Sequence, residues 1–132
     1  MEISRWIAHW AHGAPSKTVL RFEGAEISYR ELEGRVAALA GLLRKSGTAR
    51  GDRVAYLGPN CPELVAALFA CARLGAIFVP LNARMPPAEL KVFVRQGTPR
   101  TFLAEEGLVE TARASAPGLA SEVVAFSAGA GI

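Results

Sequence analysis

The segment Asp52–Asn82 (DRVAYLGPNCPELVAALFACARLGAIFVPLN) most constrains the fold, because it has the pattern of a strand, a helix and a strand with few residues between them. Val54–Leu57 is a short apolar run that ends at a Gly-Pro-Asn turn, as expected for a strand buried on both faces. A second apolar run, Ala76–Val79, is expected to stop at Pro80. Two buried strands joined by one helix predict a right-handed parallel crossover.

The helix inside this segment has clear signals at both ends. Asn60 or Cys61 can cap its start, and Pro62 lies in the first turn, where a missing N–H costs nothing. Glu63 places an acidic group near the positive end of the helix, and Gly75 is positioned to end it. The helix body is apolar nearly all round, so we expect this helix to be deeply buried.

A short helix, a hairpin and a longer helix are predicted ahead of this segment. The first helix covers Ile3–Ala11, and the hairpin pairs Thr18–Phe22 with Glu26–Ser28. Ser28 and Glu31 have the spacing of a capping box at the start of the longer helix. The predicted core face of that helix consists of Leu32, Val36, Leu39, Ala40 and Leu43.

Helix and strand signals alternate after Asn82. The predicted elements are a helix over Ala88–Gln96, a strand over Thr101–Ala104, a helix over Leu108–Ser115 and a strand over Val123–Phe126. Leu90, Phe93 and Val94 are expected to share the buried face of the first of these helices. The order predicts an α/β fold with a mainly parallel sheet and flanking helices, preceded by a short helix and a β-hairpin. The small residues of the tail Ser127–Ile132 are typical of a loop.

Composition excludes several classes of protein. At 132 residues, 51% hydrophobic and 20% charged, the chain is globular and long enough for one domain. The net charge of +3 comes from scattered Lys and Arg without a basic stripe, which argues against nucleic-acid binding. No apolar run reaches the length of a membrane-spanning helix and no signal peptide is evident, so we expect a cytoplasmic protein without a transmembrane segment. Cys61 and Cys71 lie about 15 Å apart along one helix, too far for a disulfide.

Candidate site residues each have a structural alternative. The turn Gly58-Pro59-Asn60 follows a parallel strand and opens a helix, a position that suits anion binding, but a tight turn with a cap is the favoured interpretation. The spaced glycines and the Lys of a P-loop are missing there. Cys61 could be a reactive thiol at a helix start, although no general base lies beside it, and Cys71 is expected in the core.

The remaining candidates lie outside the central segment. His9 and His12 flank Trp10, but no acid or nucleophile is placed to work with them, so surface or packing roles are favoured. Trp6 and Trp10 are interpreted as a packing face rather than a ligand platform. Arg84 follows a strand end and could meet an anion or remain solvated. We assign no catalytic, cofactor-binding or metal-binding residue from the sequence.

Several motifs in order resemble those of the AMP-forming acyl-CoA synthetases, members of the adenylate-forming superfamily. The matching segments are Ile27–Leu32 (ISYREL), Gly51–Ala55 (GDRVA), Pro59–Glu63 (PNCPE), Arg73–Ala76 (RLGA) and Val79–Asn82 (VPLN). Each is weak alone, but their order and spacing over roughly residues 17–104 are specific. The resemblance implies part of the larger N-terminal domain of such an enzyme. It divides the chain into an N-terminal helix and linker (1–16), a family-matching α/β core (17–104) and a last helix and strand (105–132).

The resemblance also implies a reaction. A carboxylic acid attacks the α-phosphate of ATP to give an acyl-adenylate, and CoA then takes the acyl group, with Mg²⁺ offsetting phosphate charge. The family's phosphate-gripping loop, its acidic ATP- and Mg²⁺-binding motifs and its lid domain are absent from these 132 residues. We therefore expect a truncated form or gene fragment that is inactive by itself and binds no cofactor. The alternatives are a non-catalytic α/β interaction module, dimerising through a surface that truncation exposes, or a free nucleotide-binding domain.

Overall fold

The computed structural model describes residues 2–118 and 121–130. Five helices and six strands are assigned within these ranges. The helices are α1 (Trp6–Gly13, after a 3₁₀ turn at Ile3–Arg5), α2 (Tyr29–Lys45), α3 (Pro62–Leu74), α4 (Pro87–Gly97) and α5 (Val109–Ser115, after a 3₁₀ turn at Glu106–Leu108). The strands are β1 (Thr18–Phe22), β2 (Ala25–Ser28), β3 (Arg53–Leu57), β4 (Ile77–Leu81), β5 (Thr101–Glu105) and β6 (Glu122–Phe126). The part of the predicted tail loop at Gly131 and Ile132 lies outside the described residues.

Four of the strands form one parallel sheet in the order β4-β3-β5-β6. Val54 in β3 pairs with Phe78 on one side and Thr101 on the other. The hairpin β1–β2 is a separate antiparallel pair. The predicted parallel β3–α3–β4 unit is therefore confirmed, as is the α/β class with its preceding helix and hairpin.

The sheet is covered by helices on both faces. Val54 and Tyr56 of β3 contribute to a core with α1, α2 and α3, whereas Ala55 and Leu57 contribute to a second core with α4 and α5. All four side chains are at most 1% exposed, which confirms that β3 is buried on both faces. The five residues predicted as the core face of α2 are all buried as well.

The prediction that the run after α3 forms an equally buried strand is wrong. β4 lies at the edge of the sheet, and Ile77 is 48% exposed. Pro80 does not stop the strand but lies within it, opposite Tyr56. An edge position explains this, because proline has no backbone N–H to donate and is tolerated where that side of the strand has no partner strand.

Two other burial predictions need correction. On α4, Leu90 and Val94 are buried but Phe93 is 50% exposed, so Phe93 does not share their face. Helix α3 is less deeply buried than expected, because six of its 13 residues are buried and Leu68 is 37% exposed.

The predicted capping box, the glycine at the end of α3 and the hairpin turn are all present in the structure. The Ser28 side chain accepts from the Glu31 N–H at 3.2 Å, and the Glu31 carboxylate accepts from the Ser28 N–H at 2.7 Å, so the capping box is confirmed. Gly75 ends α3 in the left-handed region at φ 70°. Cys61, not Asn60, occupies the N-cap of α3, although its side chain makes no capping bond. The hairpin closes through two positive-φ residues, Glu23 and Gly24, as twisted strands require.

Candidate functional site

The carboxyl ends of the parallel strands border a cleft of about 1090 Å³. The chain leaves β3 through α3 on one face of the sheet and leaves β5 through α5 on the other face. Because β3 and β5 are neighbours, their carboxyl ends lie where successive connections diverge. Open α/β sheets bind ligands preferentially at such a point.

Two of the sequence-predicted candidates meet in this cleft. Its polar and backbone lining includes Gly58, Asn60, Asn82, Arg84, Glu105 and Ala128. The turn after β3 and the arginine after β4 are thus brought together, as expected for loops that follow adjacent parallel strands. Sequence reasoning missed Glu105, Gly107 and Ala128, because their approach depends on the order of β5 and β6 in the sheet.

The polar side chains of the cleft partly serve their own loops. The Asn82 Oδ1 atom accepts from the Arg84 N–H at 2.9 Å, and Glu105 Oε2 accepts from the Gly107 N–H at 2.9 Å. The lining carries both a guanidinium and a carboxylate, so its charge is mixed rather than that of a dedicated phosphate site. This arrangement favours the structural interpretation of the Gly58-Pro59-Asn60 turn.

The position of that turn is fixed from below by aromatic side chains. The Tyr56 hydroxyl donates to the Pro59 carbonyl at 2.8 Å, and the Tyr56 and Phe126 rings stack with centroids 5.3 Å apart. Burial, followed by the hydrogen bond with Cys61, raises the pKa of Tyr56 above its ordinary value, so the phenol stays neutral and able to donate. Gly58 sits directly against both rings.

Glu63 is the buried charged group that the sequence did not flag as such. Its side chain is 1% exposed, whereas the sequence indicated only an acidic group near the positive end of the helix. Its carboxylate accepts from Arg35 Nη1 at 3.0 Å and from the Gly129 N–H at 2.8 Å. The only signal available in the sequence was its place in the Pro-Asn-x-x-Glu motif, which gives no indication of partners on α2 and after β6.

Neither cysteine has the environment of a reactive thiol. Burial raises the pKa of Cys61, and its hydrogen bond with the Tyr56 hydroxyl opposes that rise only in part. Burial raises the pKa of Cys71 to about 12. Both thiols are free and buried, and Cys61 lies outside the cleft lining. The structural alternative is therefore favoured for both.

The candidates on α1 do not border the cleft. His9 packs edge-on against Trp10 with centroids 5.3 Å apart, and Trp10 lies 6.1 Å from the Tyr29 ring. Trp6 and Trp10 are nevertheless 48% and 46% exposed, and the buried residue of this helix is Ile7. The interpretation of the two tryptophans as a packing face thus holds only for one side of Trp10.

The described residues offer no ready site for a divalent cation. Within 2–118 and 121–130, no three His, Cys, Asp or Glu side chains converge as metal ligands. In the same ranges no helix has the length and apolar character needed to cross a bilayer.

Comparison with known proteins agrees with the fold. The family model described as "AMP-binding enzyme" matches residues 7–128. The indoleacetate–CoA ligase of Aromatoleum aromaticum is 43% identical over 129 residues, which cover 97% of this chain and 25% of that protein. The feruloyl-CoA synthase of an Amycolatopsis species is 48% identical over 88 residues, which cover 67% of this chain and 18% of that protein.

A solved structure shows the same architecture. It is a protein of Rhodopseudomonas palustris CGA009 assigned as a long-chain-fatty-acid CoA ligase, with a TM-score of 0.88 and 27% identity. The superposition covers 99% of this chain and 34% of that protein. A four-stranded parallel sheet with helices on both faces and a cleft at its carboxyl edge defines the class to which the chain belongs, an α/β domain. More specifically, the chain belongs to the AMP-binding enzyme family of adenylate-forming enzymes. It spans about a fifth to a quarter of the length of the two ligases.

Proposed function

We propose that these residues form the N-terminal portion of an ATP-dependent acyl-CoA ligase. The observation that carries the proposal is the family match over residues 7–128, together with relatives at 43% and 48% identity that are CoA ligases. The whole protein would convert a carboxylic acid and ATP to an acyl-adenylate and pyrophosphate. The thiol of CoA would then attack the acyl carbonyl, releasing AMP and forming the thioester.

Within that enzyme, the chain described here acts as a scaffold. The divisions 1–16, 17–104 and 105–132 remain the domain assignment we propose. We assign no side chain in the described ranges as nucleophile, general base or metal ligand. The mixed charge of the cleft also favours a structural role for its loops. We propose that the 132 residues alone do not catalyse adenylation and that the whole protein works in the cytoplasm.

The acid remains to be assigned by experiment, and the relatives suggest where to begin. The two ligases are named for indoleacetate and ferulate, which are both aromatic acids, whereas the structural relative is assigned as a long-chain-fatty-acid CoA ligase. Pyrophosphate release should be measured with ATP, Mg²⁺, CoA and each of these three acids. Release by the full-length protein with at least one acid is expected. Release by the 132-residue chain alone would refute the scaffold assignment, and none by the full-length protein with a wider acid panel would refute the ligase.

A second function, a non-catalytic dimerisation module, is favoured by one feature of the surface. The edge strand β4 exposes Ile77, and α4, the next element along the chain, exposes Val92 at 54% and Phe93 at 50%. Open strand edges and apolar side chains of this kind promote association. Light scattering after size-exclusion chromatography tests this function. A dimer that persists at micromolar concentration and is lost on Ile77→Lys would support it, while a monomer would exclude it.

A further inference from the structure

A buried ionic cluster joins three segments that are remote in the sequence. Glu63, in the first turn of α3, accepts from Arg35 Nη1 on α2 at 3.0 Å and from the Gly129 N–H at 2.8 Å. Arg35 Nη2 donates to the Gly129 carbonyl at 3.4 Å, which closes a ring of contacts. A carboxylate that is 1% exposed is costly to bury unless its oxygens are bonded, so these contacts are specific rather than incidental.

The segment held by this cluster is the turn Ser127–Ala130. The Ala130 N–H closes the turn on the Ser127 carbonyl at 3.1 Å. Gly129 has φ 84°, and a Cβ at that position would lie 3.1 Å from Cε1 of Phe22 in β1. The turn is therefore seated between the hairpin and the ionic cluster, with little room to shift.

One residue of this turn, Ala128, lines the cleft at the carboxyl edge of the sheet. Glu63 and Arg35 do not line it. We propose that Glu63 and Arg35 form a clamp that sets the position of the turn Ser127–Ala130 and thereby the wall of the cleft at Ala128. They are positioning residues, since neither lines the cleft and both contact the backbone of Gly129 beside Ala128. This inference goes beyond the proposed function and does not depend on it.

A simpler explanation is that the pair only ties α2 to α3. The same two helices are already tied by a second pair, in which Arg73 donates to both oxygens of Glu33 at 2.9 and 2.8 Å. Among the described residues that pair makes no hydrogen bond to the turn Ser127–Ala130, and both its side chains are about a quarter exposed. It therefore provides a matched control: an ion pair between the same helices that does not reach Gly129.

The informative change is Glu63→Gln, because both carboxylate oxygens accept hydrogen bonds. A glutamine has one acceptor oxygen and one NH₂ group, so it must turn its NH₂ toward either Arg35 or the Gly129 N–H, both of which are donors. The guanidinium is the stronger competitor for the oxygen, so the Gly129 contact is expected to be lost. Charge-assisted bonds of this kind correspond to roughly a 10- to 100-fold change in local opening.

Amide hydrogen exchange on the 132-residue chain measures that opening directly. In Glu63→Gln we expect exchange at Gly129 to be about 10- to 100-fold faster, with a shifted Ala128 amide resonance. Glu33→Gln should leave both unchanged. Arg35→Gln, at a partly exposed position that tolerates change better, should accelerate Gly129 in the same direction and decides the test if Glu63→Gln does not fold. Wild-type exchange at Gly129 in Arg35→Gln, or equal acceleration in Glu33→Gln, would overturn the clamp.

Discussion

Replacing Gly58 by Ala should destabilise the fold through space alone. The added Cβ would lie 2.7 Å from Cζ of Phe126 and 3.1 Å from the Tyr56 hydroxyl. Gly58 does not have a positive φ, so an alanine meets no backbone penalty there. Tyr56 and Phe126 are 0% and 2% exposed, and they are stacked on each other, so neither ring can swing aside into solvent.

The expected loss is the cost of overpacking a dense core, about 1–3 kcal/mol in the free energy of unfolding. That is a substantial share of the roughly 5–15 kcal/mol that domains of this kind possess. Gly41→Ala is the matched control, because Gly41 lies inside α2 with nothing within 4 Å of a new Cβ outside the helix itself. An alanine in a helix interior is favoured over glycine by about 0.5–1 kcal/mol, so the same substitution should stabilise the protein there.

Urea unfolding followed by circular dichroism would test the pair of variants. The midpoint should fall for Gly58→Ala and rise for Gly41→Ala, with the slope unchanged in both. A Gly58→Ala midpoint equal to or above that of the wild type would refute the reasoning, because it would mean that Phe126 does not seat beneath the turn after β3. A fall in both variants would instead indicate that glycine flexibility, not local space, governs the effect.

Three further predictions concern buried or half-buried groups. Thr48→Val should lower the free energy of unfolding by about 1–3 kcal/mol, because it removes the hydroxyl that lies 2.9 Å from the buried Thr101 hydroxyl. The double variant Thr48→Val, Thr101→Val should recover part of that loss in the same urea assay, because no unpaired hydroxyl is left. The free energy of unfolding of the wild type should fall as pH rises from about 9 towards 12, because the Cys71 thiol ionises in the unfolded chain while its raised pKa keeps it protonated in the fold. The same pH series on Cys71→Ala should show a shallower fall, and an equally steep fall would contradict the role of Cys71. A double-mutant cycle on Glu33 and Arg73 should give a coupling of about 0.5–1 kcal/mol that weakens in 1 M salt, and a salt-insensitive coupling would contradict the ionic origin.

Local patterns predicted the elements of this fold well, because their causes are local. The core face of α2 follows from helical spacing, and its capping box follows from two residues three apart. The strand Val54–Leu57 was predicted as buried on both faces from four consecutive apolar residues, and it lies in the interior of the sheet. The family resemblance was carried by the same kind of short, ordered segments.

The errors arose where burial depends on neighbours that are distant in the sequence. The run Ala76–Val79 has the same apolar character as β3, yet β4 is an edge strand, and only Pro80 gave a hint of that position. On α4, helical spacing alone could not decide whether Phe93 would join Leu90 and Val94 on the buried face or point towards solvent. Tertiary packing sets the rotation of the helix, and a single sequence does not encode it visibly.

The candidate cleft was half predictable for the same reason. Loops that follow neighbouring parallel strands must converge, so the approach of Arg84 to the Gly58–Asn60 turn follows once β3 and β4 are paired. The approach of Glu105 and Ala128 requires the order of β5 and β6, which strand patterns do not specify. Glu63 was the hardest to predict, because its partners lie 28 and 66 residues away.

Two walls of the cleft, the turns after β3 and after β6, are held in place by groups that are buried or partly buried. Tyr56 and Phe126 support the turn after β3 from the core, and Glu63 with Arg35 holds the turn after β6. Phe126 links the two, since it ends β6 immediately before the clamped turn and packs against Gly58. A shift in either of these turns would therefore have to open a core contact or an ionic contact, so these two walls are preformed features of the scaffold. It follows that Gly58→Ala and Glu63→Gln should perturb the Ala128 amide alike, although the two substitutions act on opposite sides of Phe126.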